Sequence, residues 1–402
     1  MSKENINNKE LNNFEINNND LNNNIISYNS FDDMNLKENL LRGIYSYGFE
    51  NPSVIQSKAI IPITTNKDVI AQAQSGTGKT ATFSIGLLQK IEEGNNNTQS
   101  IILSPTRELS FQTYNVFSSL AINLDISVGC FRGGTKLKED IEKIKNGVNC
   151  IIGTPGRIID LIKKNILYIN DIKSLVLDEA DEMLDIGFLD VMRELISIIP
   201  KECQIILVSA TLPKEVMELT EKFMYNPIKI LVKKEEITLE GIKQFYVMCD
   251  NFNVKFEVFC DLYETLQIMQ AVVFVNTKKW ADELGKKLIE KDYAISIIHG
   301  STEQKERDKL MENFRQGNSR ILISSDIIGR GIDVQGVNLV INYDIPQKKE
   351  NYIHRVGRCG RFGRKGVSIN LITERDIPKL LEIERYYDTQ ISELPSNINE
   401  LI

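Results

Sequence analysis

A glycine-rich segment that ends in lysine and threonine marks a candidate phosphate-binding loop. It runs Ala73-Gln-Ser-Gly-Thr-Gly-Lys-Thr80, directly after an apolar run and before a stretch of helical spacing. The glycines Gly76 and Gly78 let backbone N–H groups curl around phosphates. Lys79 can reach the outer phosphates, and the Thr80 hydroxyl can bind Mg²⁺. An ordinary glycine turn is the alternative, but Gly-Lys-Thr at a strand–helix junction favours a nucleotide site.

Two adjacent carboxylates end a second apolar run, Ser174-Leu-Val-Leu-Asp178. Asp178 can hold a metal ion through water, and Glu179 can activate an attacking water molecule. Such a pair is weak evidence by itself. Together with the phosphate loop, it predicts a P-loop enzyme that hydrolyses a nucleoside triphosphate.

Short apolar runs alternate with helical stretches over most of the chain, which predicts an α/β fold with doubly wound parallel sheets. In the first half the predicted strands are 68–73, 100–104, 150–153, 174–178 and 204–209, and 179–199 is predicted to be helical. In the second half they are 271–275, 295–298, 320–324, 339–342 and 367–371. We therefore expect a disordered asparagine-rich arm over 1–30, a first domain over 31–232, a linker over 233–241 and a second domain over 242–402.

The composition of the 402 residues narrows the class of protein. Hydrophobic residues make up 42% and charged residues 26%, which fits a globular chain long enough for two domains. No apolar run suits a membrane span, no secretory signal is visible, and six scattered cysteines predict free thiols. The net charge is −7, and the 23 basic and 23 acidic residues from Ile242 onward cancel. Any nucleic-acid contact must therefore use a local groove.

Ten short motifs follow one another in an order that resembles the DEAD-box RNA helicases. The motifs are Gly48-Phe-Glu-Asn-Pro-Ser-Val-Ile-Gln56, the phosphate loop, Pro105-Thr-Arg-Glu-Leu109, Gly133-Gly134, Thr154-Pro-Gly-Arg157, Asp178-Glu-Ala-Asp181, Ser209-Ala-Thr211, Gln304-Lys-Glu-Arg307, Arg330-Gly-Ile-Asp333 and His354-Arg-Val-Gly-Arg-Cys-Gly-Arg361. The likeness covers nearly everything from Phe31 onward and is nearest to the initiation factor 4A group. It implies two tandem RecA-like domains of doubly wound parallel sheet, joined by a short linker.

The resemblance implies that ATP and Mg²⁺ are the cofactors. The residues that it places against ATP are Phe49, Gln56, Ala73, Gln74, Ser75, Gly76, Thr77, Gly78, Lys79, Thr80, Asp333 and Phe362. Gln56 would read the adenine edge, and Asp333 would bind the ribose. Phe49 and Phe362 would flank the base, unless they are plain core aromatics.

Catalytic roles follow from the same resemblance. Asp178 and Thr80 would hold Mg²⁺, while Glu179 would be the general base. Lys79 would neutralise charge on the outer phosphates. The family therefore assigns the chemistry to the same residues as their spacing does.

The resemblance also implies residues that link hydrolysis to movement of the domains. Arg358 and Arg361 would be arginine fingers, and they would share a face if they lie on a helix. Ser209 and Thr211 would hydrogen-bond the acidic motif. His354 would couple the two domains, although a lone histidine is more often structural.

A second set of matching positions implies contacts with the RNA backbone. Its members are Arg107, Gly133, Gly134, Thr154, Arg157, Arg307 and Ser325, where serine replaces the family's usual threonine. Glycines allow close approach of the backbone, and arginines neutralise phosphate charge. Any single arginine of the set could instead be a solvated surface residue. We expect single-stranded RNA to bind with little preference for sequence.

The resemblance implies an enzyme, an RNA helicase that couples RNA-stimulated ATP hydrolysis to local unwinding of RNA. Action on mRNA in translation initiation is expected, with a cytoplasmic location, protein partners of the initiation or exon-junction type, no membrane and a monomeric core. The alternative is an ATP-locked RNA clamp in an exon-junction, mRNA-processing or ribosome-biogenesis assembly, in which case a nuclear location is expected. A DNA helicase or a small-molecule kinase is disfavoured by the whole set of motifs.

Overall fold

A computed structural model describes residues 26–74, 76–184, 187–231, 242–265, 270–326, 337–359 and 366–395. Several predicted features lie outside these residues: most of the asparagine-rich arm, Ser75, the linker over 233–241, Asp333, Arg361 and Phe362. Ser27 and Tyr28, which fall inside the predicted arm, hydrogen-bond to Ser57. The chain divides into two compact units, one built mostly from residues up to Val232 and the other mostly from Lys233 onward.

The first unit is a parallel sheet with helices on both faces. Its strands are β1 (Val69–Gln72), β2 (Ser100–Leu103), β3 (Val128–Phe131), β4 (Cys150–Gly153), β5 (Ser174–Asp178), β6 (Gln204–Ser209) and β7 (Ile228–Ile230). They lie in the order β3-β4-β2-β5-β6-β1-β7. Strands β2, β4, β5 and β6 are buried along their whole length, because helices cover both of their faces.

The helices of the first unit bury apolar stripes against this sheet. They are α1 (Glu38–Tyr47), α2 (Val54–Thr64), α3 (Lys79–Lys90), α4 (Arg107–Leu120), α5 (Leu137–Lys145), α6 (Pro155–Lys163), α7 (Ala180–Met183), α8 (Leu189–Ile198) and α9 (Lys214–Thr220). Two hydrophobic clusters, one on each side of the sheet, form the core of the unit. The prediction that 179–199 is helical was wrong in part, because Glu179 has a left-handed backbone and the described residues of the segment form two separate helices, α7 and α8.

The second unit repeats the architecture. Its strands are β8 (Ile242–Met248), β9 (Ala271–Phe274), β10 (Ile295–Ile298), β11 (Ile321–Ser324), β12 (Leu339–Asn342), β13 (Gly366–Ile372) and β14 (Ser392–Glu393), in the order β10-β11-β9-β12-β13-β8-β14. Its helices are α10 (Phe252–Thr265), α11 (Lys278–Ile289), α12 (Gln304–Arg315), α13 (Lys349–Val356) and α14 (Ile377–Tyr387). The doubly wound parallel fold predicted for both halves is confirmed.

Strand order explains why distant motifs meet in the first unit. Strands β5, β6 and β1 are neighbours, and each pairs in parallel with the next. Their carboxyl ends therefore lie side by side, where ligands bind in open α/β sheets. Among the described residues, no helix is long and apolar enough to cross a membrane. All six cysteines are free thiols.

Candidate active site and RNA-binding surface

The phosphate loop lies between β1 and α3, and its glycines adopt backbone conformations that other residues rarely take. Gly76 has φ 84° and Gly78 has φ 93°, in the left-handed region where a side chain would be strained. Gly78 is the N-cap of α3, so the free N–H groups of the first helical turn begin at this loop. Lys79 and Thr80 occupy that first turn. The local geometry is that of an anion site at a helix N-terminus.

The predicted adenine-reading residue, Gln56, lies beside this loop. It occupies the first turn of α2, where its Oε1 accepts the backbone N–H of Ser53 at 2.8 Å and its own N–H donates to the Ser53 hydroxyl at 3.4 Å. This reciprocal capping box fixes the side chain. A Cβ on Gly78 would lie 2.5 Å from Gln56 Nε2. The glycine therefore also allows the amide to pack against the loop.

Phe49, predicted to flank the base, lies at the edge of an aromatic cluster. Its ring centroid is 5.0 Å from that of Tyr47 and 6.4 Å from that of Phe31. The ring is half-buried and packs against the core of the first unit. One side is therefore fixed by packing, which serves a core aromatic and a base-stacking platform equally well.

The acidic pair lies at the end of β5, next to the phosphate loop. Lys79 Nζ is 3.9 Å from Glu179 Oε2, and both side chains are buried. Burial and the neighbouring Glu179 raise the pKa of Asp178 to about 7, and Lys79 opposes this rise. Two carboxylates with one lysine are an excess of buried negative charge. Such a cluster favours the binding of a cation.

The structure allows a test of whether these residues fit Mg²⁺. Asp178 Oδ2 is buried and makes no hydrogen bond within the described part of the chain. A buried carboxylate oxygen without a partner is costly, and a divalent ion relieves that cost. The hydroxyl of Thr80 is a second hard oxygen ligand at the start of α3. The donor set therefore fits the expected metal.

The backbone of Glu179 is unusual for a residue other than glycine. It has φ 51° and ψ 56°, as the residue that precedes α7. The left-handed conformation costs about 1 kcal/mol or more for such a residue. It turns the chain sharply between β5 and α7, and Asp178 and Glu179 lie at this turn, at the carboxyl end of β5. Strain of this kind is typical of functional sites.

The acidic motif is tied to the end of β6 by two buried hydrogen bonds. Ser209 Oγ donates to Asp181 Oδ1 at 2.9 Å, and Thr211 Oγ1 donates to Asp181 Oδ2 at 2.5 Å. The backbone N–H of Ala73 also donates to the Ser209 carbonyl at 3.1 Å. The Ser-Ala-Thr motif thus connects the acidic motif with the start of the phosphate loop.

Four of the predicted RNA contacts in the first unit form a continuous surface. A Cβ on Gly133 would lie 3.0 Å from Arg107 Nη2, so the guanidinium packs against the glycine backbone. The Gly133 N–H donates to Thr154 Oγ1 at 3.4 Å. Gly134 follows with φ 87° and is exposed. A cation, an open glycine backbone and a hydroxyl therefore lie together, as phosphate binding requires.

Arg157, predicted to contact RNA, is largely engaged within the protein. Its Nε lies 3.0 Å from Asp140 Oδ2, and its Nη2 donates to the carbonyl and the hydroxyl of Thr135. Burial raises the pKa of Asp140, and the Arg157 guanidinium opposes that rise. Arg157 thus holds the loop that carries Gly133 and Gly134. Its direct contact with RNA stays a prediction.

The predicted site residues of the second unit are mostly buried. Arg307, on α12, donates from Nη2 to the His299 carbonyl at 2.8 Å. Ser325 follows β11 and is buried. On and just after α13, Arg358 Nε donates to the His354 carbonyl at 2.9 Å. These bonds give both arginines a defined position within their own unit.

Arg355 is a residue whose importance the sequence did not reveal. It is completely buried, donates to Asp326 and, from Nη1, to the Asp344 carbonyl at 2.7 Å, and contacts Asn276 Oδ1 at 2.8 Å. It therefore joins the segments after β9, β11 and β12 to α13. The only sequence signal is its place beside His354, because its partners are scattered along the chain.

Comparisons with known proteins agree with this geometry. A family model described as DEAD/DEAH box helicase matches residues 53–219, and a model of the helicase conserved C-terminal domain matches residues 254–363. Eukaryotic initiation factor 4A of Caenorhabditis elegans is 53% identical over 373 residues, which cover 93% of each chain. The ATP-dependent RNA helicase eIF4A of Yarrowia lipolytica is 54% identical, over 93% of this chain and 94% of the relative.

Solved structures show the same fold. S. cerevisiae Dbp5 bound to RNA and ADP BeF3 matches with a TM-score of 0.87 and 36% identity, over 92% of this chain and 96% of that chain. Mss116p bound to ssRNA and AMP-PNP matches with a TM-score of 0.82 and 28% identity, over 91% and 79% of the two chains. The predicted tandem RecA-like fold and helicase enzyme class are thus confirmed. The chain belongs to the DEAD-box helicase family, in the group of the eIF4A helicases.

Proposed function

We propose that this helicase couples ATP hydrolysis to the binding and local unwinding of RNA, and that it acts on mRNA in translation initiation. The observation that carries the first part is the buried cluster of Lys79, Asp178 and Glu179 beside the phosphate loop. The second part is supported by the names of the relatives, which are initiation factors 4A. A cytoplasmic location follows from that role.

The residues of the first unit divide the work of hydrolysis. The loop N–H groups and Lys79 bind the outer phosphates, and Gln56 positions the adenine. Asp178 and Thr80 would hold Mg²⁺, which supplies positive charge at the phosphates. Glu179 accepts a proton from the attacking water while the water oxygen bonds to the γ-phosphorus. The bond from that phosphorus to the bridging oxygen breaks, and the products are ADP and inorganic phosphate.

We assign to the hydrogen bonds of Asp181 the coupling of hydrolysis to closure of the two domains. Both Ser209 and Thr211 donate to Asp181, the last carboxylate of the acidic motif, so a shift of that motif would move them too. The arginine-finger roles of Arg358 and Arg361 and the interdomain role of His354 belong to this proposal. So do the ribose contact of Asp333 and the base contacts of Phe49 and Phe362.

RNA is proposed to run over the surface formed by Arg107, Gly133, Gly134 and Thr154. These groups contact phosphate and sugar and do not hydrogen-bond to base edges, so binding is tolerant of sequence. The 2′-hydroxyl is the group by which such a surface separates RNA from DNA. The solved relatives Dbp5 and Mss116p bind RNA or ssRNA.

The experiment is to measure ATP hydrolysis with a single-stranded RNA and with DNA of the same sequence. RNA is expected to stimulate turnover, and DNA is not. Lys79→Ala should abolish ATP binding and stimulated turnover alike, because it removes the cation that faces the outer phosphates. Equal stimulation by DNA would overturn the RNA assignment, and near-normal turnover in Lys79→Ala would overturn the site.

The cellular role needs a separate experiment. The tagged chain is used to capture proteins from an extract of its own cells, with and without ATP and RNA. Recovery of translation-initiation scaffold proteins is expected. Recovery of exon-junction proteins in their place would favour the RNA-clamp alternative.

A further inference from the structure

A pocket opens on the first unit next to the proposed RNA surface. It has a volume of about 520 Å³ and lies between α4, the edge strand β3 and the end of α5. Among its lining residues are Phe111, Tyr114, Arg132, Thr135 and Lys143. Two aromatic rings and two cations therefore face one cavity. None of the described residues that line it carries a carboxylate.

The aromatic rings of the pocket are arranged for stacking. Phe111 and Tyr114 are nearly parallel, with an interplanar angle of 18° and centroids 6.2 Å apart. The Arg132 guanidinium carbon lies 4.6 Å from the centre of the Phe111 ring. Phe111 nevertheless remains 38% exposed. A flat apolar ring that is held in place and open to solvent is a platform for another flat group.

The pocket is continuous with the groups proposed to bind phosphate. Arg132 directly precedes Gly133, and its Nη1 contacts the Arg107 carbonyl at 3.5 Å. Phe111 lies one helical turn after Arg107 on α4, about 6 Å along the axis. Thr135 lines the pocket and also accepts from Arg157. The Phe111 and Arg132 end of the pocket therefore adjoins the residues proposed to hold phosphate.

We propose that the pocket of Phe111, Tyr114, Arg132 and Lys143 binds one nucleobase of the RNA strand whose backbone contacts Gly133 and Thr154. The base stacks against the aromatic side of the pocket, and the two cations neutralise a neighbouring phosphate. This inference rests on the proposed RNA-binding function. Because every base has a flat face, such a subsite adds affinity without reading sequence.

A peptide paired with β3 is the competing occupant, because β3 is an edge strand. The charge of the lining argues for the nucleotide, because Arg132 and Lys143 are both cations and suit a phosphate-bearing ligand better than a neutral extended chain. The stacked rings have no function in strand pairing. Strand β3 is also short, since it has only four residues to pair with a peptide.

The test uses single-stranded oligouridine RNAs that each carry one abasic residue at a different position. In wild type, one position should be the most sensitive, with affinity lower by roughly 5-fold or more, the lower limit for base–aromatic stacking. In Phe111→Leu, intact RNA should bind more weakly by a similar factor, and that position should lose its sensitivity. Tyr225→Leu is the matched control, since Tyr225 is 91% exposed beside the opposite edge strand, β7.

A second pair of variants tests the charge. Lys143→Gln should weaken RNA binding more than Lys145→Gln, because both lysines lie on α5 but only Lys143 lines the pocket. If wild type binds RNA while Phe111→Leu and Lys143→Gln bind as their controls do, the base subsite is overturned and the proposed function stands. If wild type binds no RNA with any nucleotide, both are overturned.

Discussion

Glu179 combines a proposed catalytic role with a strained backbone, and one substitution separates the two. Glu179→Gln keeps the size and the left-handed turn but removes the group that accepts the proton. Hydrolysis should fall by about 10²- to 10⁴-fold, while ATP binding persists because Lys79 and the loop are intact. RNA-stimulated turnover and nucleotide affinity are measured on the same preparations. Glu221→Gln, at an exposed position of the same unit, is the control.

Either of two results would contradict this role. Turnover within a few-fold of wild type would show that another group takes the proton. Equal losses of ATP affinity and turnover would show that Glu179 serves to shape the loop. Glutamine has the same size and branching as glutamate and so should tolerate the same turn, which leaves the loss of the proton acceptor as the change that is tested.

At the scale of residues, the motifs predicted which groups meet but not how each one is used. Asp178, Glu179 and Lys79 lie together as their spacing indicates. Arg157, by contrast, is bonded to Asp140, which lies 17 positions earlier on a different helix, so no periodicity connects the two. Such pairs depend on the tertiary fold and cannot be deduced from local pattern. The aromatic pocket was missed for the same reason.

At the scale of elements, α3 does more than carry the phosphate loop, because its last residue joins the helix to the sheet. Lys90 Nζ donates to Ser174 Oγ on β5 at 2.9 Å and to Gln204 Oε1 on β6 at 2.5 Å. Burial lowers the pKa of Lys90 to about 8. No carboxylate among the described residues pairs with it, so the folded state binds its proton less tightly than the unfolded state does.

This gives a pH dependence of stability with a definite sign. Between pH 8 and the unfolded pKa of about 10.5, the unfolded state holds more protons at Lys90, so this residue makes stability rise with pH. Below pH 8 both states are protonated, and its contribution is constant. The wild type should gain on the order of 1 kcal/mol relative to Lys90→Met across this window, since the side chain is only partly shielded from water.

The measurement is the free energy of unfolding of the first unit, obtained from denaturant titrations at several pH values. Lys222→Met, at an exposed lysine of the same unit, should run parallel to wild type and thereby cancels the titration of other groups. A Lys90→Met curve that is also parallel to wild type would show that Lys90 keeps an ordinary pKa.

In the first unit the sequence predicted the interior strands and missed the two edge strands, whereas in the second unit it predicted the edge strand β10 and missed β8 and β14. The runs that became β2, β4, β5 and β6 are continuously apolar because both faces are buried. Strand β3 contains Gly129 and alternates in burial, while β7 has three residues and β14 has two. At the edge of a sheet one side lacks a partner, so the apolar signal is weaker. Between α7 and α8 the sequence does carry a helix-breaking residue, Gly187, which the prediction of helix over 179–199 overlooked.

At the scale of the whole molecule, a net charge of −7 requires RNA binding to depend on local contacts. Affinity should fall as salt rises, with a slope of about −0.7 per phosphate neutralised on a single strand. For about three contacts, that is on the order of 10-fold between 50 and 200 mM salt. Titrations at several salt concentrations measure the slope. A slope near zero would mean that phosphates are not the principal contacts.

The same experiment reports on a single cation. Arg107→Gln should reduce the magnitude of the slope by close to the value for one phosphate, because it removes one cation from the surface. Arg193→Gln, which changes an exposed arginine of the same unit, should leave it unchanged. A general loss of affinity without a change of slope would assign Arg107 to the support of Gly133.

The contact between Gln56 and Gly78 makes the nucleotide site a single thermodynamic unit. The amide proposed to contact the base lies against the loop proposed to contact the phosphates. Replacing adenine by guanine should therefore lower the affinity that the γ-phosphate contributes, and removing the γ-phosphate should reduce the preference for adenine. Linkage requires the two effects to be equal in free energy. Affinities for ATP, ADP, GTP and GDP complete the cycle: in wild type the preference for adenine should be larger with three phosphates than with two. In Gln56→Ala the preference for adenine should be the same for triphosphates and diphosphates. If the preference is already the same in wild type, base selection and phosphate binding are energetically independent.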